Sequence, residues 1–463
     1  MQLDAQDVDA ADVAVIGAGP AGLAAAAAAA EQGLSVALLD EQAHPGGQIY
    51  RDVTRAGADR LQVLGNDYAA GRALVERFAQ SAARHVGGAA VWNVTRDRVI
   101  HYLKDGRSRS IAASQIILCT GAMERPFPIP GWTLPGVMTA GAAQILLKSA
   151  GIAPSQPAVL AGCGPLLYLL AWQYLRAGVR IAAIVDTTQR GDYLRALRHI
   201  AGALAGWRDV KKGLGLIRSI RSAGIPFYRG ATELAVEGGE RATALCFRVG
   251  AASHRIPTDL VLLHQGVVPN NQITASLRLP HHWDEPQLCW LPQADAWGRL
   301  ALDGFLIAGD GRGIAGGAAA ALQGQLAGLA AAHDAGRLSE LKRDRQAKPL
   351  RSALRRQLHI RPFLDTLYRP KIEHRVPADD VIACRCEEVS AGELRRMVAL
   401  GCTGPSQTKA FSRCGMGPCQ GRLCGLTVTE VIAQARGVSP AEVGHYRIRP
   451  PLKPIQLQEL AAL

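Results

Sequence analysis

The chain has 463 residues, of which 48% are hydrophobic and 20% are charged, and its net charge is +13. This length allows two to four domains with sizeable cores, and the composition indicates a soluble globular protein. No apolar run reaches membrane-spanning length, which excludes a transmembrane segment.

The N-terminal stretch MQLDAQDVDAADVAV carries four aspartates and no Lys or Arg, unlike a secretory signal or a transit peptide. The ten cysteines of a chain that is not exported are expected to be reduced thiols, metal ligands or catalytic groups. We therefore expect a cytoplasmic protein, with peripheral association with the inner membrane as an alternative.

The first motif in the chain is a complete dinucleotide-binding unit. A short apolar strand at 12–16 leads into GAGPAG at 17–22, an Ala-rich helix follows, and a second strand ends in an acid. The three glycines allow a tight turn, close approach of a pyrophosphate and close helix–strand packing, while the acid takes the ribose hydroxyls. The predicted binding residues are Gly17, Gly19, Pro20, Ala21, Gly22, Asp40 and Glu41.

Three later phrases indicate which dinucleotide binds. HPGGQIYR at 44–51 follows the second strand, SQIILCTGAMERPFPIPG at 114–131 contains a Thr-Gly turn, and DGFLIAGDGRG at 303–313 contains a Gly-Asp turn. Together they resemble the two-dinucleotide-domain flavoproteins of the glutathione and thioredoxin reductase superfamily over about residues 10–335. The resemblance implies FAD, with contacts from Gly46, Gly47, Gln48, Thr120, Gly121, Gly309 and Asp310.

A second dinucleotide motif at 157–186 departs from this pattern. Gly162 and Gly164 keep the turn, but Leu167 replaces the third glycine and should push the helix away from the strand. We favour a site that does not use NAD(P)H, although Asp186 would suit NAD and an adenine nucleotide such as NAD or ATP stays open. No CxxC pair is present, which disfavours a disulfide reductase, and Cys119 and Cys163 are expected to be packing residues.

The C-terminal part is rich in thiols. VIACRCEEV at 381–389 and KAFSRCGMGPCQGRLCG at 409–425 place four or five cysteines among glycines, which favours a metal site. Zinc and a [2Fe–2S] cluster both take four thiolates. The predicted flavin favours iron, because a one-electron centre beside FAD is chemically useful.

This segment resembles the [2Fe–2S] domain of bacterioferritin-associated ferredoxin, in which Cys-x-Cys is followed some thirty residues later by a second pair. The resemblance implies that the ligands are Cys384, Cys386, Cys419 and Cys424. Cys414 is the rival ligand, and Cys402 is expected to be structural.

Over nearly its whole length the chain resembles the family of opine oxidase A subunits, hydrogen cyanide synthase FAD subunits and hydroxyproline dehydrogenase alpha subunits. The resemblance rests on GGQIYR, GCGPLL, CRCEEV…RCGMGPCQGRLC and YRIRPPLKPIQLQELAAL. It implies a relay subunit that moves electrons from a D-amino-acid-oxidase-like partner, together with a small ferredoxin-like subunit, to a quinone or another acceptor. The alternative is a self-sufficient NAD(P)H-dependent reductase that feeds ferredoxin or quinone.

The predicted fold class is α/β, with two Rossmann-like domains of the glutathione/thioredoxin reductase type and a small C-terminal [2Fe–2S] domain. The expected parts are an FAD domain at 1–130 and 265–335, a degenerate NAD(P)-like domain at 131–264, a basic linker at 336–375, the [2Fe–2S] domain at 376–440 and a tail at 441–463.

Two basic blocks account for much of the net charge. Residues 336–375 hold 12 Lys or Arg against 4 Asp or Glu, and residues 180–221 hold 9 against 3. Such blocks bind an acidic protein or an anionic lipid, or they form a solvated helix face. The sequence contains no recognised nucleic-acid-binding module, which argues against nucleic acid. We assign no catalytic residue: His281 and His282 are expected in a loop, and Lys148 is expected on an exposed helix face.

Overall fold

The computed structural model describes residues 8–461. Within this range no helix combines the length and the apolar character that crossing a bilayer requires. The expectation that the chain carries no targeting peptide depends partly on residues 1–7, which lie outside the described residues.

The described residues form 21 strands and 18 α-helices. The strands are β1 (Val8–Ile16), β2 (Val36–Asp40), β3 (Arg84–Gly87), β4 (Ala90–Val94), β5 (Val99–Lys104), β6 (Arg107–Leu118), β7 (Ala122–Glu124), β8 (Val137–Thr139), β9 (Ala158–Cys163), β10 (Ile181–Asp186), β11 (Phe227–Arg229), β12 (Ala231–Gly238), β13 (Ala242–Val249), β14 (Ala252–Pro257), β15 (Val261–Gln265), β16 (Val267–Pro269), β17 (His281–Asp284), β18 (Cys289–Pro292), β19 (Phe305–Ile307), β20 (Ile382–Cys384) and β21 (Val389–Ser390).

The helices are α1 (Pro20–Ala30), α2 (Ala58–Leu64), α3 (Asn66–Ala69), α4 (Gly71–Gln80), α5 (Ala140–Ala150), α6 (Pro165–Arg176), α7 (Arg190–Ala196), α8 (Ile200–Ala205), α9 (Trp207–Ser222), α10 (Gln272–Ser276), α11 (Gly317–Asp334), α12 (Glu340–Leu358), α13 (Arg361–Leu367), α14 (Ala391–Ala399), α15 (Pro405–Ser412), α16 (Gly425–Arg436), α17 (Pro440–Val443) and α18 (Leu457–Ala461).

The first sheet has seven strands. Strands β3, β2, β1, β6 and β19 are parallel, and the hairpin β4–β5 pairs antiparallel with the earlier part of β6. Because β1 and β6 lie side by side over most of their length, the turns that follow them emerge at the same edge. This edge carries the first dinucleotide motif.

The second sheet is parallel throughout, in the order β11-β10-β9-β15-β8. The antiparallel strands β12, β13 and β14 share a hydrophobic core with it. The chain leaves the first sheet through β7 and returns through β16, and these two strands pair with each other. The two predicted Rossmann-like sheets and the α/β class are therefore confirmed.

Small residues allow α1 and α11 to pack backbone against backbone. Every residue of α1 is buried. A Cβ added to Gly324 would overlap the carbonyl oxygen of Ala21, and one added to Gly328 would lie 2.6 Å from that of Ala25. The Ala-rich and Gly-rich composition of both helices thus has a packing cause.

The segment expected as a linker, 336–375, is largely helical. Helix α12 packs on α11, with the buried guanidinium of Arg343 4.4 Å from the ring centroid of Trp297. Beyond it, α14, α15 and α16 surround the short strands β20 and β21, and buried residues of α16 share a core with β6 and β19. The thiol-rich part is therefore packed directly on the first sheet.

Candidate functional site

The first glycine turn lies between β1 and α1. A Cβ added to Gly17 would overlap the carbonyl oxygen of Cys119, and one added to Gly22 would overlap the carbonyl oxygen of Gly17. An added Cβ on Gly19 would meet only the Cα of Gly47, at 3.9 Å. Gly17 and Gly22 thus permit the packing, while Gly19 leaves room for a phosphate at the N-terminus of α1.

Acidic residues follow β2 beside this turn. The carboxylate of Asp40 accepts hydrogen bonds from the backbone N–H groups of Ala18 at 2.6 Å and Gln42 at 2.7 Å. Glu41 forms a half-exposed ion pair with Lys453 of the C-terminal tail. Burial lowers the pKa of Lys453, and the nearby charge of Asp40 opposes that shift.

The loop 46–48 packs on the same turn. The N–H of Gly46 donates to the carbonyl of Ala18 at 2.8 Å, and a Cβ added to Gly47 would lie 2.6 Å from the Cα of Gly19. Both contacts place the loop against the space beside Gly19. The side chain of Gln48 accepts a hydrogen bond from Arg51 at 3.2 Å.

Two further predicted turns reach this edge because β6 and β19 are adjacent and parallel. Thr120-Gly121 follows β6, and Gly309-Asp310 follows β19. The Asp310 carboxylate accepts the N–H groups of residues 315 and 316 at 2.9 and 3.0 Å, just before α11. A Cβ added to Gly309 would lie 2.7 Å from the Cβ of Ala21 in α1. The structure thus brings the four predicted FAD segments together.

Lys148 lies under the loop 46–48, and the expectation that it is exposed is wrong. It is 5% exposed, and its Nζ donates to the carbonyl of Gln48 at 3.1 Å and to Oε1 of Gln144 at 2.8 Å. Burial, with a smaller effect of the charge of Arg51, lowers the pKa of Lys148 to about 7. No sequence signal marks this position, because the burial arises from the packing of α5 against the loop.

The second glycine turn keeps the backbone conformation of a dinucleotide-binding turn, but the acid that follows it, Asp186, is buried. Gly162 and Gly164 have φ angles of +132° and +113°, and the side chain of Leu167 is fully buried in the core. Asp186 is also fully buried, and its carboxylate accepts hydrogen bonds from the hydroxyl of Tyr168 at 2.7 Å and from a backbone N–H at 2.8 Å. Burial raises the pKa of Asp186.

Residues 368–374 cover the ligand edge of this second fold. The thiol of Cys163, inside the glycine turn, lies 3.5 Å from the carbonyl oxygen of Tyr368. Lys371 forms an ion pair with Asp192, which is buried at the start of α7. The chain's own segment therefore lies where a nucleotide would approach the ends of β9 and β10.

Three cysteines form the centre of the thiol-rich part. The sulfur atoms of Cys384, Cys414 and Cys424 lie within 4.8 Å of one another, and all three residues are buried. Hydrogen bonds from the other two thiols, together with the N–H groups of Gly415 and Glu387, lower the pKa of Cys384 to about 2. Clustered thiolates are the ligands that zinc and iron–sulfur clusters use, and backbone N–H groups commonly donate hydrogen bonds to the ligating sulfurs.

Cys386 and Cys419 form a second, more exposed pair beside this trio. Burial, together with the neighbouring Cys419 thiol and the charge of Cys384, raises the pKa of Cys386. A Cβ added to Gly417 would overlap the Cβ of Cys386, so glycine is needed for the loop to approach. Five thiols therefore converge, and Cys414 belongs to the buried set.

Tyr446 from the C-terminal tail closes the thiol centre, and no sequence pattern indicates it. Its hydroxyl donates to the carbonyl of Cys414 at 2.9 Å and lies 3.9 Å from the sulfur of Cys424. Cβ atoms added to Gly415 and Gly421 would meet its ring at 2.7 and 2.8 Å. The tail is thus part of the wall of the centre.

The same tail reaches the first dinucleotide turn. Arg422, in the cysteine loop, donates to the carbonyl of Leu452 at 2.6 Å, and the N–H of Leu452 donates to the carbonyl of Trp92 at 2.7 Å. The next residue, Lys453, pairs with Glu41. One short strap therefore joins the thiol centre to the ribose end of the first site.

The residues expected to have no chemical role are accounted for by packing. Cys119 and Cys402 are buried, at 5% and 4% exposure, and Cys402 lies apart from the trio. The expected loop at His281 and His282 is wrong, because both residues lie in β17. Both ring nitrogens of His281 have partners, Thr274 and a backbone carbonyl, and burial lowers its pKa to about 4.

Comparison with known families covers both parts of the chain. Residues 11–336 match the pyridine nucleotide-disulphide oxidoreductase family, and residues 384–463 match the sarcosine oxidase A3 domain. The first match supports FAD binding at the first turn. The second includes all five converging cysteines.

Individual proteins show the same relationship over the full length. The A subunit of opine oxidase from Agrobacterium tumefaciens (strain Ach5) is 46% identical over 98% of this chain and 92% of its own. The hydrogen cyanide synthase subunit HcnB of Pseudomonas aeruginosa is 29% identical, over 95% of this chain and 96% of its own. The L-proline dehydrogenase of P. horikoshii, 20% identical, has the same fold, with a TM-score of 0.73 over 99% of this chain and 81% of its own.

The substitution Lys148→Met tests the buried amine. The folded-state pKa of Lys148, about 7, lies below its ordinary value of 10.5. The cost of burying its charge is therefore full below pH 7 and falls as pH rises towards the unfolded value. Wild type should gain stability relative to the variant between pH 7 and 9, by up to about 1.4 kcal/mol per pH unit. Thermal unfolding of the FAD-loaded proteins at pH 7, 8 and 9 measures this, with Lys342→Met as the exposed control. A difference that does not change with pH would show that Lys148 keeps its charge.

The substitution Lys453→Met tests the strap at the ribose end of the FAD site. We expect FAD to dissociate more readily, with a Kd about two- to fivefold higher, because a half-exposed ion pair contributes at most about 1 kcal/mol. Titration of apoprotein with FAD, followed by flavin fluorescence, measures the change, which should shrink in high salt. The control is again Lys342→Met. If Lys453→Met leaves the Kd for FAD as unchanged as the control does, Lys453 does not contribute to FAD binding.

Proposed function

The chain belongs to the family of opine oxidase A subunits, and on this basis we propose that it carries FAD and a [2Fe–2S] cluster and relays electrons. Family membership makes it an oxidoreductase and a flavoprotein subunit of a multi-subunit amino-acid-oxidase-type complex. In the proposal, the substrate is an amino or imino acid of the opine or hydroxyproline type. A partner similar to D-amino-acid oxidase oxidises it, a small ferredoxin-like subunit completes the complex, and the electrons leave to an acceptor.

The convergence of five thiols within a domain packed on the first sheet carries this proposal. Cys384, Cys414 and Cys424 are buried with their sulfurs within 4.8 Å, and backbone N–H groups surround Cys384. A buried set of thiols without a metal would have no reason to gather in this way. The donor set fits an iron–sulfur cluster, and it also fits zinc.

The flavin favours iron over zinc. FAD accepts two electrons together and an iron–sulfur cluster carries them singly, so the pair connects a two-electron oxidation to a one-electron acceptor. The chain's own residues hold the two sites at fixed positions. Tyr446 closes the thiol centre, and the strap through Arg422 and Lys453 reaches the ribose end of the FAD site.

The ligand set remains a proposal with one competing residue. The family pattern gives Cys384, Cys386, Cys419 and Cys424, whereas the geometry groups Cys414 with Cys384 and Cys424. A [2Fe–2S] cluster takes four thiolates, so one of the five is spare. The spare thiol is therefore Cys386, Cys414 or Cys419, of which Cys386 and Cys419 are the more exposed.

The second fold favours the relay over a self-sufficient NAD(P)H reductase. Leu167 fills the packing point of the missing glycine, Asp186 is buried with both oxygens bonded, and residues 368–374 cover the edge. A nicotinamide cofactor would have to displace this segment to reach the turn. We infer a cytoplasmic location, because the thiol centre needs reduced cysteines.

Iron analysis tests the cluster. Protein made and purified without oxygen, with iron supplied, should be brown and contain equal amounts of iron and acid-labile sulfide. Cys384→Ser and Cys424→Ser should lose both, because these residues belong to the family pattern and to the buried trio. Among Cys386→Ser, Cys414→Ser and Cys419→Ser, one variant should keep the cluster and so identify the spare thiol. Cys402→Ser is the matched control and should keep it.

The same variants test the relay when coexpressed with the partner subunits. Wild-type complex given octopine or nopaline should reduce an artificial one-electron acceptor. With Cys384→Ser, acceptor reduction should stop while substrate still bleaches the partner's flavin. A colourless wild-type protein that contains zinc would contradict the proposal.

Anaerobic mixing with NADH or NADPH tests the alternative function. We expect no rapid bleaching of the flavin absorption, because the nucleotide edge of the second fold is covered. Dithionite should bleach the same sample and serves as the positive control. Rapid bleaching by either nucleotide would assign the chain to the self-sufficient reductases.

A further inference from the structure

The connection between β10 and β11 exposes its large apolar residues. It consists of α7, α8 and α9, and six of its large apolar side chains are between 46% and 70% exposed: Leu194, Leu197, Ile200, Leu204, Trp207 and Leu214. In a helix that faces water, the large apolar residues lie on the buried side. In α7 and α8 that pattern is reversed, whereas α9 buries Ile220 and exposes Trp207 and Leu214.

Small residues fill the inward side of α7 and α8. Ala196 and Ala203 are buried, and a Cβ added to Gly202 or Gly206 would collide with residues of the α12–α13 junction. Helices α7 and α8 therefore pack closely on the protein through Ala and Gly and hold their leucines outward. Such an apolar face on a water-exposed segment indicates an apolar medium or a partner.

The segment itself carries mostly positive charges, and one of them, Lys212, pairs with the exposed Asp67 of α3. Residues 190–221 contain eight Lys or Arg and two Asp. Asp192 is buried and paired with Arg195 and Lys371, so Asp209 is the one exposed acid of the segment. The C-terminal end of the basic helix α12 lies next to α8, since a Cβ added to Gly202 would overlap the carbonyl oxygen of His359.

We propose that α7–α9 dock this protein on an anionic phospholipid surface, with the helices lying in the plane of the bilayer. Exposed leucines and a tryptophan flanked by Lys and Arg are the composition of interfacial helices, whose long basic side chains reach the headgroups while the apolar ones insert. Arg208 and Lys211 lie 5.8 and 5.9 Å from the Trp207 ring centroid, so the ring and the cations occupy one level. A protein partner is the competing explanation, and the variants described below distinguish it from a lipid surface.

Vesicle binding tests the proposal with the FAD-loaded protein in complex with its partner subunits. The complex should cosediment with vesicles that contain phosphatidylglycerol and stay in solution with pure phosphatidylcholine vesicles, and high salt should release it. Equal binding to both vesicle types, or no binding to either, would overturn the proposal. The assay needs no electron transfer, so its failure leaves the proposed relay untouched, and failure of the relay leaves the docking untouched.

Two variants separate the apolar and the electrostatic contributions. Leu194→Glu/Leu204→Glu should abolish binding, and Arg198→Gln/Arg208→Gln should weaken it about 25-fold, about fivefold for each basic side chain. Leu400→Glu/Phe411→Glu, at residues that are 79% and 71% exposed on the thiol domain, is the control and should bind as wild type does. All positions are exposed, so the FAD content should not change. If Leu194→Glu/Leu204→Glu instead loses its partner subunits on purification, the face is a protein interface and the lipid proposal is wrong.

Discussion

The backbone-to-backbone contact of α1 with α11 and with its own turn sets the geometry of the first site. Gly22 packs on the carbonyl of Gly17, Gly324 packs on the carbonyl of Ala21, and Gly309 packs on the side chain of Ala21. Each contact leaves no room for a Cβ, so the turns at 17–22 and 309–310 and helix α11 have one mutual arrangement. The space beside Gly19 has a fixed shape because backbone atoms, and not adjustable side chains, set the distances between these neighbours.

A buried ion pair connects this arrangement to the thiol centre. Glu430 on α16 is 4.0 Å from Arg125, which directly follows the crossing strand β7, and it also pairs with Arg375. Both Arg125 and Glu430 are almost fully buried, and breaking one partner would leave an uncompensated charge in the core. Because α16 begins immediately after Cys424, fixing the helix also fixes that cysteine relative to the first sheet. The separation of the two sites is therefore a property of the core and not of a flexible linker.

Motifs in consecutive residues could be predicted from the sequence, and contacts between distant segments could not. The turn at 17–22, its acid at position 40 and the two later turns were recognisable because each has its own local pattern, and the sheet brought them together. Lys148 was misjudged because its burial depends on how α5 meets residue 48. Tyr446 and Lys453 were missed because a tyrosine or lysine in a Pro-rich tail carries no sign of what it will contact. The placement of Cys414 with Cys384 likewise depends on a loop approach that spacing alone does not define.

The second fold contributes to the first site by packing, independently of any nucleotide at its own glycine turn. Lys148 lies on helix α5, which follows β8 of the second sheet. It donates a hydrogen bond to the carbonyl of Gln48 and so supports the loop 46–48. Loss of the third glycine and closure by residues 368–374 would abolish nucleotide use but leave this support unchanged. A chain that keeps the scaffold while closing the nicotinamide entrance has to receive electrons through another surface. The chain belongs to a family of complex subunits, and the proposed relay uses such a surface, the contact with a partner subunit.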